Sequence, residues 1–140
     1  YPVSTMLGQF HHEKKHVIWM FKNGSGGYWI ENYVKGFTSE KRMLLSKQEM
    51  LGKWNDILVN VNWTHKEDGF FKVWVNNKLA YDFKGQTKSK GVKTYYKFGI
   101  YRSWISKYKS YHKEKDVPTQ VVYFDEVRAG KTKEKVIQNK

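Results

Sequence analysis

The sequence predicts an all-β protein folded as an antiparallel β-sandwich. Two observations predict this class: short segments alternate apolar and polar residues with a period of two, and turn-forming residues separate them. No stretch has a convincing amphipathic helical pattern. Aromatic residues make up 17% of the chain, which is typical of half-buried strands, and we expect most of the six tryptophans in the core. Strands joined by short turns pack as antiparallel sheets.

About eight strands follow one another along the chain. They are predicted at residues 4–12, 17–21, 28–34, 57–63, 71–75, 79–83, 95–102 and 121–127. The glycine-rich stretch 23–27 joins the second strand to the third as a hairpin, and Asp68-Gly69 marks another turn. The segment 42–45 is ambiguous between a strand and a helical turn. The stretches 84–93 and 103–119 are predicted to be polar loops.

We expect one β-sandwich domain over residues 1–130, followed by a charged tail over residues 131–140. The chain of 140 residues is long enough for a single domain with a core of ordinary size. No apolar run approaches the length of a transmembrane helix. The chain has no cysteine, which excludes disulfides and a thiolate nucleophile.

The charge balance indicates a polyanionic partner. The chain carries 26 Lys and Arg against 13 Asp and Glu, a net charge of +13. Acidic polysaccharide, nucleic acid and anionic lipid all fit this sign. The motifs of phosphate-binding loops, His-Glu-x-x-His metalloproteases and Gly-x-Ser-x-Gly hydrolases do not occur, so those enzyme classes have no support.

The predicted strand 95–102 carries chemistry on one of its faces. One face holds Tyr96, Phe98 and Ile100 and is expected in the core, and the other holds Tyr95, Lys97, Gly99 and Tyr101. A cationic Lys97 near Tyr101 would favour the phenolate, which is how a tyrosine serves as an acid or base. The alternative is that these are half-buried strand tyrosines beside a surface lysine.

Gln9 and His11 share a face of the first strand. An amide beside an imidazole can bind and neutralise a carboxylate, and the imidazole can take a proton. The alternative is a polar strand edge that faces solvent. His11, His12 and His16 together could suggest a metal site, but neighbouring residues of a strand point to opposite faces, so we expect no metal there.

Taken together, these segments resemble the polysaccharide lyases with a concanavalin-A-like β-jelly roll, a group that includes alginate lyases, glucuronan lyases and heparin lyase I. Gln9-Phe10-His11 resembles the family's Gln-x-His strand. The stretch from Tyr95 to Tyr101 resembles its Tyr-x-Lys-x-Gly-x-Tyr type of strand. Residues 54–57, 68–76 and 123–128 resemble scaffold strands in the same order.

The resemblance implies β-elimination on a uronic-acid polymer. The substrate carboxylate is neutralised, a base removes the C5 proton, and the C4 glycosidic oxygen leaves with a proton from an acid. By resemblance, Gln9 would bind the carboxylate, and His11 would bind it or act as the base. Tyr101 would be the acid, or both acid and base, with Lys97 supporting its charge.

Further candidates follow from the same resemblance. Tyr95 and Arg102 are expected to contact the substrate, and no cofactor is expected to be required. Some family members bind a structural calcium. Asp125 is the nearest candidate ligand for it, with Glu126 on the opposite face of the predicted last strand.

One departure from the family pattern affects activity. Family members usually have further strands before the Gln-x-His strand, including one with an arginine that helps neutralise the carboxylate, whereas Gln9 lies almost at the start here. We expect either the C-terminal part of a longer domain or a fold reduced to a non-catalytic module. A sandwich that lacks strands exposes open sheet edges, so a partner segment or neighbouring subunit would complete it.

The leading hypothesis is therefore a polysaccharide lyase that acts on an acidic polysaccharide, with an extracellular, surface or particle-associated location. The alternative is a non-catalytic carbohydrate-binding or structural jelly-roll module of a larger surface or virus-particle assembly. A basic nucleic-acid binder is a third and less expected class, and no membrane partner is expected.

Overall fold

The computed structural model describes residues 3–13 and 16–137, and within them it confirms the all-β sandwich. The strands are β1 Ser4–His12, β2 Val17–Gly24, β3 Gly27–Asn32, β4 Glu40–Ser46, β5 Ile57–Asn62, β6 Phe70–Val75, β7 Lys78–Lys84 and β8 Thr94–Ser103. The helices are α1 Lys47–Met50 and α2 Ile105–His112, with a 3-10 turn at Lys133–Lys135. Neither helix is long and apolar enough to cross a membrane.

The strands form two antiparallel sheets. The larger sheet has the order β4-β3-β2-β1-β8 and the smaller has the order β5-β6-β7. Because β7 lies close to β4, the opposite ends of the two sheets, β5 and β8, lie on the other side of the sandwich. We call this the open side. Both strands end their sheets there and have one edge without a strand neighbour among the described residues.

Local sequence explains the tight turns. Ser25 and Gly26 join β2 to β3 with φ values of 48° and 82°, and Asn76 and Asn77 join β6 to β7 with φ values of 49° and 65°. Paired positive φ angles match the twist of a hairpin, and asparagine and glycine adopt them at low cost. The predicted hairpin around residues 23–27 is therefore confirmed.

The core lies between the two sheets. Trp19 of β2 stacks on Phe71 of β6 with ring centroids 4.0 Å apart, and both rings are buried. The Trp19 indole Nε1 donates a hydrogen bond of 3.0 Å to the Thr87 carbonyl, so its polar group is satisfied inside the core. Along β6, Phe71, Val73 and Val75 are buried while the residues between them face outward, as the period of two predicts.

The face of β8 predicted to be buried is largely exposed, so that prediction is wrong. Tyr96, Phe98 and Ile100 keep 43%, 52% and 45% of their surface exposed. The two sheets differ in width, because the smaller sheet has three strands and the larger has five. The smaller sheet therefore does not extend over β8, which is the last strand of the larger one. Tyr96 still contacts Phe10, with ring centroids 4.8 Å apart.

The predicted strand at 121–127 is also wrong, because this segment belongs to neither sheet. Its Phe124 ring lies 5.4 Å from Phe98, and its Tyr123 ring lies 6.4 Å from Trp54, so the segment crosses the open side. A strand needs a neighbouring edge to hydrogen-bond, and the segment pairs with neither β5 nor β8.

Further findings concern local structure. The ambiguous segment 42–45 is part of strand β4, and the predicted loop 103–119 contains helix α2. Trp19 is in the core and Trp63 packs against it, whereas Trp54 and Trp104 are 66% and 49% exposed. The prediction that most of the tryptophans are core residues is therefore wrong. The charged tail contains the 3-10 turn, and residues 138–140 lie outside the described part.

Candidate functional site

Four of the predicted site residues line one groove on the outer face of the larger sheet. The pairing of β1 with β8 sets Gln9 opposite Lys97, and register partners in an antiparallel sheet point to the same side. Gln9, His11, Lys97 and Tyr101 all line a groove of about 600 Å³. Phe10, between Gln9 and His11, points the other way and packs on Phe71. Successive side chains of β1 thus point alternately to the groove and to the core.

A bulge lies next to Tyr101 where β8 pairs with β1. Going from Phe98 to Tyr101 takes three residues on β8, whereas the facing stretch from Gly8 to Met6 takes two on β1. Gly99 lies within the irregularity at φ 138°, a conformation that a residue with a side chain rarely adopts. Bulges bend a strand and redirect side chains, and here the bulge sets Tyr101 opposite Met6. Tyr101 is 64% exposed, so its phenol is accessible.

The Gln9 amide is oriented by a weak contact. Its Nε2 donates to the Met6 sulfur at 3.1 Å. A thioether is a poor acceptor, so a carboxylate oxygen entering the groove would replace it readily. The amide is thus positioned but not committed to a strong partner.

The hydrogen bond of His11 determines what its ring can do. His11 Nδ1 lies 2.6 Å from the His12 carbonyl oxygen. A carbonyl only accepts, so Nδ1 carries the hydrogen of this bond, and in the neutral ring Nε2 keeps its lone pair. The neutral imidazole can therefore accept a proton or a hydrogen bond at Nε2.

Lys97 is held beside an aromatic ring of the same face. Its Nζ lies 5.2 Å from the Tyr95 ring centroid, within range of a cation–π contact. The Tyr95 ring in turn lies 5.4 Å from the His11 ring. Tyr95 thus connects Lys97 and His11, although it is not itself among the groove-lining residues.

Sequence reasoning missed Tyr33, which lines the same groove. Its hydroxyl donates to Glu31 Oε2 at 2.9 Å, and Glu31 Oε1 pairs with Lys22 Nζ at 2.6 Å. Burial raises the pKa of Tyr33, Glu31 raises it further, and a hydrogen bond with Thr38 opposes the rise. The phenol therefore stays a donor. Nothing in the local pattern marks Tyr33, because it follows β3 in an irregular turn.

Arg102 is not brought to the groove. Its Nε donates to Gln120 Oε1 at 3.1 Å and its Nη2 donates to the Pro118 carbonyl at 2.8 Å. Thr5, its register partner, also donates to Gln120 Oε1, at 2.7 Å. The guanidinium thus anchors the segment after α2 against the sheet, and substrate contact by Arg102 stays a prediction.

The carboxylates proposed for calcium do not share a site. Asp125 Oδ1 accepts a hydrogen bond of 2.8 Å from the Glu126 backbone, and the Glu126 carboxylate pairs with Arg128. Over residues 3–13 and 16–137, no three His, Cys, Asp or Glu side chains are grouped as metal ligands would be. These residues do not fit a calcium ion.

Comparison with known proteins identifies the family. A family model described as polysaccharide lyase matches residues 2–128. The match covers both the Gln-x-His strand and the strand that carries Lys97 and Tyr101. No curated protein and no solved structure matches the chain. Because the family match extends over most of the sequence, the chain belongs to the polysaccharide lyase family.

Proposed function

We propose that this protein cleaves an acidic, uronic-acid-containing polysaccharide by β-elimination. One observation carries the proposal: Gln9, His11, Lys97 and Tyr101 line a single groove although they come from two strands far apart in the sequence. An amide and an ammonium can stabilise a developing anion, and an imidazole and a phenol can exchange protons.

The reaction places two demands on the groove. In the first half, the bond from C5 to hydrogen breaks, the proton passes to a base, and negative charge develops on the neighbouring carboxylate. In the second half, the electron pair forms the double bond between C4 and C5, the bond from C4 to the glycosidic oxygen breaks, and that oxygen takes a proton from an acid. The site must therefore stabilise an anion and exchange two protons.

Each groove residue suits one of these demands. The Gln9 amide can donate to the carboxylate in place of its Met6 contact, and the Lys97 ammonium adds positive charge on the same face. The lone pair on His11 Nε2 is available to accept the C5 proton. The accessible Tyr101 phenol is the donor for the leaving oxygen, and in the alternative assignment it also removes the C5 proton.

The charge of the chain supports an acidic substrate. A net charge of +13 attracts a polyanion and raises its local concentration near the groove. Among polyanions, a polyuronate is the one whose carboxylates the Gln9 and Lys97 pair would neutralise as part of the chemistry. Binding is therefore expected to weaken with added salt.

The test is ultraviolet absorbance during incubation with alginate, glucuronan or heparin, because the C4=C5 uronate product absorbs and the substrate does not. We expect a rise with one polymer for the unaltered protein and for Tyr123→Phe, whose tyrosine is 76% exposed outside the groove. We expect no rise for Tyr101→Phe. Equal rates for the two variants would contradict the role of Tyr101, and flat traces throughout, from folded protein, would contradict the lyase activity.

A non-catalytic carbohydrate-binding module is the second candidate. The observation that favours it is the composition of the groove, whose described lining contains no arginine to neutralise the carboxylate. In that case the polymer would still retard the protein in an affinity gel, and Lys97→Ala would weaken the retardation. Flat absorbance together with such retardation would favour this candidate over the lyase.

A further inference from the structure

We propose a second polysaccharide-binding site on the opposite side of the sandwich, where Phe70 and Trp74 of β6 stack on the faces of sugar rings. Phe71, Val73 and Val75 of this strand point into the core, so Phe70 and Trp74 lie on the outer face of the smaller sheet. They line a groove of about 450 Å³ that is separate from the one containing Tyr101.

The spacing of the two rings suits an extended chain. Phe70 and Trp74 are four residues apart on one strand, a distance of about 13 Å, which is the length of a short run of sugar rings. Lys72 lies between them on the same face, with its Nζ 5.9 Å from the Phe70 ring centroid. A polymer lying along β6 would pass over both rings and the lysine.

Packing between neighbouring strands explains why an aromatic residue lies on the outer face at position 74, but it does not explain the one at position 70. The register partners of Trp74 are Leu58 on β5 and Leu79 on β7, which form an apolar row across the sheet. The partners of Phe70 are Asn62 and Lys84, which are polar. A phenylalanine on an outer face between polar neighbours gains little from cross-strand packing, so packing between strands does not explain its presence there.

The polar groups of the groove select a sugar over other ligands. Asn60, Asp68 and Lys84 also line it and supply both donors and acceptors. Lys72 pairs with Asp82 at 3.2 Å, so positive charges are offset by negative ones here. A nucleic acid needs an excess of cations and an apolar partner needs fewer charges. A pyranose, with an apolar face and hydroxyl edges, fits both aromatic and polar groups.

Two sites on opposite faces would act on a long polymer together. Once one site holds the chain, the other meets the same polymer at a high effective concentration, so the affinity for long chains exceeds that of either site alone. The proposal does not depend on catalysis, because stacking on sugar faces needs no carboxylate. It therefore extends to neutral polysaccharides, and their binding is expected to persist at high salt.

Affinity electrophoresis in gels that contain hydroxyethylcellulose, a neutral polymer without uronate, tests the site apart from any lyase activity. Phe70→Ala and Trp74→Ala are each expected to lower the affinity about tenfold, equivalent to about 1.4 kcal/mol. Trp54→Ala removes an exposed tryptophan elsewhere and is the matched control, expected to migrate like the unaltered protein. Unchanged migration of both groove variants, or an equal loss for Trp54→Ala, would overturn the proposal.

A second measurement needs no variant. Acetylation of lysines in the unaltered protein, read by mass spectrometry, is expected to slow at Lys84 when hydroxyethylcellulose is present. Lys53, exposed in the turn after α1, should react equally with and without polymer. Equal reaction of Lys84 in both conditions would overturn the proposal even if the variants proved too unstable to examine.

Discussion

Gln9 of β1 and Lys97 of β8 are direct register partners in the larger sheet. The pairing joins the first described strand to the last one, so the groove exists only when this ladder has formed. The two side chains point to the same side and place an amide donor next to an ammonium. An anion in the groove would contact both side chains, whereas each strand alone supplies only one of them.

The first prediction concerns this pair. Gln9→Ala is expected to lower kcat about 100-fold, the usual effect of losing one donor to a developing anion. Lys97→Ala should act similarly, and the double variant should lose less than the two effects combined because both bind one carboxylate. Initial rates of absorbance increase measure this, with Gln48→Ala on the exposed helix α1 as the control. Fully additive losses would contradict a shared carboxylate.

The second prediction concerns His11. If Nε2 accepts the C5 proton, His11→Ala should lower kcat about 100-fold or more, within the range found for general bases. Added imidazole should restore part of the rate, because it can enter the space left by the ring. The control is His65→Ala, which alters an exposed histidine away from the groove. A variant with full activity would leave Tyr101 as the base as well as the acid.

The third prediction concerns the bulge at Gly99. Gly99→Ala should destabilise the fold by about 1–3 kcal/mol, because φ 138° is costly for a residue with a side chain. The added methyl group meets no atom within 4 Å, so the cost is conformational and not steric. Urea denaturation measures the free energy of unfolding, and Gly24→Ala, at a glycine without positive φ, is the control. Equal stabilities would contradict a strained bulge.

The fourth prediction concerns alkaline pH. Burial raises the pKa values of Tyr28 and Tyr81, with smaller contributions from Tyr96 and Glu40 respectively. The unfolded chain then loses these phenol protons first, near pH 10. Their contribution to stability is therefore complete below about pH 10 and declines above it. Urea denaturation at about pH 8 and about pH 11 should show a smaller decline for Tyr28→Phe than for the unaltered protein.

The matched control for this effect is Tyr111→Phe, which alters a tyrosine that is 70% exposed on α2. Its stability should decline with pH as steeply as that of the unaltered protein. A decline of the same size in Tyr28→Phe would show that the buried phenol does not contribute to the alkaline instability.

The fifth prediction concerns the open side of the sandwich. Phe98 and Ile100 of β8 are exposed and also border the groove of Gln9 and Lys97, and Phe124 and Tyr123 nearby are exposed as well. Contiguous apolar surface of this kind binds partners or dyes. The folded protein should enhance the fluorescence of anilinonaphthalene sulfonate, and the Phe98→Ser, Ile100→Thr double variant should enhance it less. An unaltered protein that does not bind the dye would show that this face is covered in solution.

The strand pattern could be predicted because alternation is a local property. A strand with one face in the core must place an apolar residue at every second position, as Phe71, Val73 and Val75 do on β6. The proximity of Gln9 and His11 to Lys97 is not a local property, because it depends on the pairing of two strands that are distant in the sequence. It was predicted from resemblance to the family, and no periodicity within either strand would have brought β1 next to β8.

The errors arose where the outcome depends on neighbouring elements. Residues 121–127 have the alternation of a strand but pair with neither β5 nor β8, and the inner face of β8 is exposed because the facing sheet has too few strands. Helix α2 buries none of its residues and has no apolar stripe that a sequence pattern could detect. Tyr33 reaches the groove through an irregular turn, which no pattern describes.

The most direct test of the proposed reaction is the origin of the oxygen in its products. The acidic polymer that gives the largest absorbance rise would be digested in water labelled with a heavy oxygen isotope, and the oligosaccharides would be weighed by mass spectrometry. Elimination adds no water across the broken bond, so we expect every new non-reducing end to be unsaturated and free of label, with label at reducing ends attributed to exchange at the anomeric carbon. Saturated products that carry the label would show hydrolysis and would contradict β-elimination in the groove of Gln9, His11, Lys97 and Tyr101.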